Sequence, residues 1–240
     1  MRASDGTAPP ESEDTALSAI TQRVVACRAC PRLVAWREQS AADPPKRYRG
    51  ETYWARPVPG FGDFAARLLI VGLAPAAHGG NRTGRVFTGD SSGDFLFPAL
   101  HRAGFASQPT STTADDGLSL NDAYIAAAVR CAPPDNRPTP GEFERCRSYL
   151  EEEIAALREL EVIVALGALA WTTTLRSLAS LGTTIPRPAP EFKHGALAPL
   201  GKFRLIGSYH VSRQNTNTGR LTAPMFDAIF ERVRTELSAR

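Results

Sequence analysis

Lysine is nearly absent. The 240-residue chain carries 28 basic residues, and only Lys46, Lys193 and Lys202 among them are lysines. Chemistry that runs through a Schiff base needs an amine, so it has little to draw on here. Cysteine is scarce too. Four in a chain of this length are too few for a disulfide scaffold, and their uneven spacing suits a metal site in a reducing compartment. Long hydrophobic runs are missing: the longest, residues 162–171, is too short to cross a bilayer, and the opening MRASDGTAPPESEDTA lacks the apolar stretch of a secretory signal. A soluble, intracellular protein without membrane contact is expected.

What is present suffices for a core. With 42% hydrophobic and 22% charged residues the chain reads as one large domain, residues 14–240, behind a loose tail of Ser, Gly, Pro and acids at residues 1–13. Residues 13–39 have a helical pattern broken at Cys27-Arg-Ala-Cys30-Pro31, where the proline can open a second helix. Residues 42–64, rich in Pro, Gly, Tyr and Trp, read as an irregular excursion.

Beyond it the pattern alternates. Continuous apolar runs at residues 67–73, 123–129, 162–166 and 202–207 predict four parallel strands covered on both faces. Helical stretches at 91–104, 139–160, 167–178 and 222–237 alternate with them, and the Pro-rich segment 185–199 reads as a surface loop. This order predicts an α/β fold, three layers α/β/α around a central four-stranded parallel sheet. Ligands of such sheets sit beyond the carboxyl ends of the strands, which singles out the loops at 73–90, 130–140 and 208–221.

The net charge is only +3, yet it is unevenly spread. No acid lies between Asp63 and Asp90 or between Glu191 and Asp227, whereas residues 142–161 hold seven acids against three arginines. A positive ligand edge suits nucleic acid or phosphate, and arginine-rich composition alone would also produce it.

Three motifs lie in or beside these loops. Cys27, Cys30, Cys131 and Cys146 can meet at one centre if the N-terminal helices pack beside the loop after the second strand. Four thiolates suit a structural zinc or a [4Fe-4S] cluster, and four unrelated buried thiols are the plain alternative. The glycine-rich loop at 72–90 lacks both the Walker A lysine and the GxGxxG spacing. In it, Phe87 is a core anchor or a stacking platform for a planar ring. The third motif places His210 at the end of the fourth strand, followed by Arg213 and Arg220 in a polar loop suited to phosphates.

Gly-Leu-Ala-Pro-Ala-Ala-His-Gly, Asn-Arg-Thr-Gly-Arg-x-Phe-Thr-Gly-Asp, Cys-Ala-Pro-Pro-x-Asn and Tyr-His-x-Ser-Arg-Gln-Asn-Thr-x-Thr-Gly-Arg-Leu-Thr resemble the type B (fifth) family of the uracil-DNA glycosylase superfamily, from Cys27 to Thr222. The resemblance implies a glycosylase fold with a structural [4Fe-4S] cluster on Cys27, Cys30, Cys131 and Cys146. It implies excision of uracil, and of hypoxanthine and xanthine, from DNA by a monomer in base excision repair.

His210 would then donate to the leaving base, Asn136 would contact base or water, and Phe87 would stack the flipped base. Leu73, Ala74 and His78 would line its pocket, while Arg213, Gln214 and Asn215 would grip the strand. Many members of the superfamily carry Asp, Asn or Glu where this chain has Ala74. The resemblance moves water positioning to Asp90, an aspartate equally well placed to cap the next helix. A DNA-binding module of the same fold that releases no base is the competing expectation.

Overall fold

The computed structural model describes residues 13–239, so the expected tail at 1–13 lies outside the described residues except for Glu13, which opens the first helix. The helices are α1 (Glu13–Ala26), α2 (Pro31–Ala42), α3 (Gly80–Thr83), α4 (Gly93–Arg102), α5 (Pro140–Ala156), α6 (Ala168–Ser180), α7 (Arg213–Asn217) and α8 (Ala223–Ser238). The strands are β1 (Phe61–Gly62), β2 (Leu68–Gly72), β3 (Ala123–Ala127), β4 (Val162–Leu166), β5 (Leu197–Leu200) and β6 (Phe203–Ser208).

The four expected strands form the parallel centre of the sheet as β3-β2-β4-β6. Every residue of β2, β3 and β4 is buried, as continuous apolar runs require when both faces are covered. Side chains alternate between the faces. Leu68 and Ile70 join α4 and α8 through Leu96, Phe226 and Phe230, whereas Leu69 and Val71 join α1, α5 and α6 through Leu17, Leu150 and Trp171. The result is the three-layer α/β/α arrangement.

The four-stranded expectation needs one correction, because the sheet has six strands. β1 pairs antiparallel with β3 and β5 pairs antiparallel with β6, one at each edge. β1 is two residues long inside the supposed excursion, and β5 runs into the supposed Pro-rich loop. Pro199 is tolerated there because an edge strand leaves one side of its backbone unpaired.

Helix ends follow local chemistry. Thr139 and Glu142 form a capping box at α5, with Pro140 at its first position, and the Thr222 hydroxyl accepts from Met225 N at the start of α8. β3 lies on one side of β2 and β4 with β6 on the other, so the chain reverses direction beside β2 and opens a crevice at the carboxyl edge.

Beneath this crevice the side chains of Arg130 and Glu153 pair with only 1% exposure each. The Tyr124 hydroxyl donates to the same carboxylate at 3.5 Å. Glu153→Gln leaves the guanidinium buried without its counter-charge. It is expected to cost roughly 3–5 kcal/mol of stability, read as a lower midpoint in urea unfolding. An unchanged midpoint would show that the pair is not needed to hold Arg130 in place.

Candidate active site and cysteine centre

The loops after β2, β3 and β6 enclose one cleft with two connected parts. The inner part, about 580 Å³, is lined by Leu73, Ala74, Phe87, Ala127, Asp90, Asn136, His210, Arg213 and Gln214. The outer part, about 1010 Å³, is walled by Trp36, Arg47, Tyr48, His78 and Arg82. Ala76, Asp90, Ser91, Asp135, Asn136 and Arg213 line both.

Asp90 divides its two carboxylate oxygens between the start of α4 and the cleft. Its Oδ1 accepts from Ser92 N at 2.9 Å and Gly93 N at 3.1 Å, capping the entry to α4. Its Oδ2 has no hydrogen-bond partner among the described residues and is not sealed away from the cleft. Burial raises this carboxyl above the ordinary aspartate range, and the two amides oppose that shift. Gly79 makes the arrangement possible, because a Cβ at that position would collide with Oδ2.

His210 extends from the chain just past the end of β6. Burial lowers its imidazole to about 4, so the ring is neutral at pH 7. Neither ring nitrogen has a partner among the described residues, and the ring lines the inner cleft. Asp90 and His210 thus bring an unpaired carboxylate oxygen and a neutral imidazole to one chamber.

Phe87 is both anchor and wall. It is 8% exposed within the core packed around β2, yet it faces the inner cleft. The Cα of Gly72 sits close against the ring, and a Cβ there would lie 2.6 Å from Phe87 Cζ. Phe87 adopts φ 54°, Asp135 φ 54° and Asn136 φ 55°. Left-handed backbone at non-glycine residues stores strain, and here it clusters around the cleft.

The remaining site residues divide between the two parts. His78 stands in the outer part, its Nδ1 3.0 Å from the Tyr53 hydroxyl; burial and the nearby Arg47 and Arg82 lower its imidazole below the ordinary value. Arg213 and Gln214 line the inner part, whereas Asn215 is turned away and donates to the His210 carbonyl at 2.8 Å.

The positive edge is narrower than the sequence suggests. The arginines between Asp63 and Asp90 are paired: Arg67 with Asp122, Arg82 with Glu51 and Arg85 with Asp116. Arg82 also donates to the His78 and Gly89 carbonyls, so it fastens the loop that carries Asp90. The acids of α5 are paired too, Glu142 with Arg32 and Glu152 with Arg23. Arg213 and Arg220 carry no ion pair among the described residues.

The four cysteines line one pocket, with Arg37, Arg130, Arg145 and Tyr149 around them. Donors point at the sulfurs: Arg37 Nη1 at 3.0 Å from Cys131 Sγ, Arg130 N at 3.2 Å from Cys146 Sγ and Arg145 Nε at 3.5 Å from Cys30 Sγ. Burial pushes the Cys131 thiol up to about 11 and Cys146 up to about 12 against the opposing pull of Arg37 and Arg130, and a bound cationic centre would draw those protons off. Among the described residues no three His, Cys, Asp or Glu are disposed to hold a metal ion, and the cysteines instead surround a void. Four sulfurs around one void, with cationic and amide donors against them, have the donor chemistry of a metal centre.

Several cleft residues carry no signal in the sequence. Trp36, Arg47, Tyr48 and Tyr53 come from α2 and the excursion after it, where Tyr and Trp enrichment without periodicity was the only cue. Arg47 lies 4.6 Å and Arg82 4.3 Å from the Tyr48 ring centroid, which rigidifies this outer wall.

A doubly wound α/β domain with a built cleft at its switch point is a ligand-binding class of fold. The profile of the Uracil DNA glycosylase superfamily matches residues 59–234, and the chain belongs to that superfamily. It is 56% identical to a Type-5 uracil-DNA glycosylase of Thermus thermophilus over 87% of this chain and 92% of that protein. A Type-5 uracil-DNA glycosylase of Mycobacterium bovis is 52% identical over 87% of this chain and 77% of its own length. One of Mycobacterium leprae is 51% identical over 88% of this chain and 91% of its own. No helix among the described residues is long and apolar enough to cross a membrane.

Proposed function

We propose that this chain is a monofunctional DNA glycosylase. It hydrolyses the N-glycosidic bond of uracil, and of the deaminated purines hypoxanthine and xanthine, working as a monomer inside the cell in base excision repair. One observation carries the reading: the unpartnered Asp90 Oδ2 and the neutral His210 ring share a chamber beside a buried aromatic face.

Glycosidic cleavage develops negative charge on the base and oxocarbenium character on the sugar. A flipped base, extruded at a cost of a few kcal/mol, enters between Phe87 and Ala74 and meets Asn136 at the rim. His210 donates an N–H to a carbonyl oxygen of the departing base. Being neutral, it stabilises the developing charge by hydrogen bonding without giving up a proton.

Asp90 Oδ2 orients a water at the anomeric carbon and offsets positive charge on the sugar. Ala74 leaves room for the base and contributes no polar group; of the two acids lining the inner cleft, Asp135 is exposed and Asp90 half-buried, so water positioning falls to Asp90. Arg213 and Gln214 meet the phosphates of the flipped nucleotide. No lysine lines the cleft, which favours attack by water over an amine-linked intermediate and leaves the strand uncut.

Cys27, Cys30, Cys131 and Cys146 would hold a [4Fe-4S] cluster. Bound there, it would cross-link α2, the loop after β3 and α5 and supply no step of the reaction.

Oligonucleotides carrying uracil, hypoxanthine or xanthine test the function. The free base and an intact abasic strand are expected as products. Tight, salt-sensitive binding without base release would instead support a damaged-DNA binding module.

A further inference from the structure

β6 leaves the sheet at Ser208, whose carbonyl still accepts from Gly167 N at 2.8 Å. The ladder with β4 ends at that residue, and on the other side the last backbone bonds are those Gly207 makes with Gly195 and Ala196. The next amide, Tyr209 N–H, therefore lacks a strand partner one residue before His210. His194, in the segment before β5, fills the gap. Its Nδ1 accepts from Tyr209 N at 3.1 Å, and its ring stacks on the Tyr209 ring with centroids 5.0 Å apart and planes at 23°.

An imidazole that accepts at Nδ1 is neutral and carries its proton on Nε2. Burial lowers the His194 imidazole below its ordinary value, in keeping with the neutral form. The adjoining backbone is tied down as well. Ser208 Oγ donates to the Tyr209 carbonyl at 3.0 Å, and Asn215 Nδ2 donates to the His210 carbonyl at 2.8 Å.

We propose that His194 is a positioning residue for His210: it supplies the acceptor that the sheet no longer offers and so fixes the strand end from which the His210 ring enters the cleft. This rests on the reading of His210 as the donor to the leaving base. A half-buried amide without its acceptor shifts to find another, and a displacement of about 1 Å at a reacting group can cost up to about a hundredfold in rate.

The test compares His194→Phe, which keeps a ring against Tyr209 but removes the acceptor, with His194→Asn, whose Oδ1 can stand where Nδ1 was. Each is made alone, and His194→Phe also in a His210→Ala background. Amide hydrogen exchange at Tyr209 reports the clamp, and single-turnover uracil release reports its consequence. His194→Phe is expected to speed exchange at Tyr209 and slow release about tenfold, with affinity for uracil-containing DNA unchanged. His194→Asn stays near wild type in both readouts. In the His210→Ala background His194→Phe costs no further rate.

Unchanged exchange at Tyr209 overturns the proposal. So do equal losses with and without His210, and an Asn variant as slow as the Phe variant. Wild-type release by His210→Ala would instead overturn the role given to His210, and exchange at Tyr209 would then decide the clamp on its own.

Discussion

Asp90→Asn is expected to slow uracil release about 10²–10⁴-fold while leaving affinity for uracil-containing DNA in place. The choice of Asn separates the two tasks of this side chain. Asn keeps an oxygen where Oδ1 accepts from Ser92 N and Gly93 N, and it is a good residue at a helix start, so α4 keeps its cap. What it loses is the negative charge and proton affinity of Oδ2. Asp90→Ala loses the cap as well, at a cost of about 1 kcal/mol in stability. If capping were the whole role, Asn would retain near-wild-type rates and only Ala would be slow. Equal slowing of release by both, with a stability loss in Ala alone, is the expected pattern in single-turnover assays and thermal unfolding.

His210→Ala is expected to slow release about 10²–10³-fold, the usual worth of one donor aimed at developing charge. The loss should fall on the chemical step. The ring has no partner within the protein among the described residues, so its removal breaks no internal hydrogen bond of the side chain. Burial lowers the imidazole to about 4, so the ring is neutral at pH 7 and adds no ionisation to the rate profile around neutrality. A loss of DNA affinity equal to the loss of rate would place His210 in binding rather than in catalysis.

The parts legible in the sequence were those set by local pattern. Apolar runs such as residues 68–72, short and ending in glycine, read as strands buried on both faces, and the rule that ligands gather at the carboxyl edge of such a sheet pointed to the loops that do enclose the cleft. The edge strands were not legible, because β1 is too short to show alternation and Pro199 argues against β5. The positive edge is narrower than composition suggests for a different reason. Arg82 and Arg85 look free in a stretch without acids, but their partners Glu51 and Asp116 arrive from segments distant in the chain.

Asp90 and Phe87 each present two alternatives, and the fold leaves room for both. One carboxylate has two oxygens, and one ring has two faces, so cap and cleft, core and wall coexist. His194 carried no signal, since its role depends on where β6 ends relative to its neighbours.

The pH dependence of single-turnover uracil release, measured for wild type and Asp90→Asn, tests the central claim most directly. In the proposed role Asp90 is ionised when it orients water, and burial raises its carboxyl above the ordinary range, so the wild-type rate should fall on acidification through an ionisation above that range. In Asp90→Asn the residual rate should lose that limb and keep at most the ionisation of His210 at about 4. An acid limb that persists unchanged in Asp90→Asn would contradict the account and place the essential ionisation on another group.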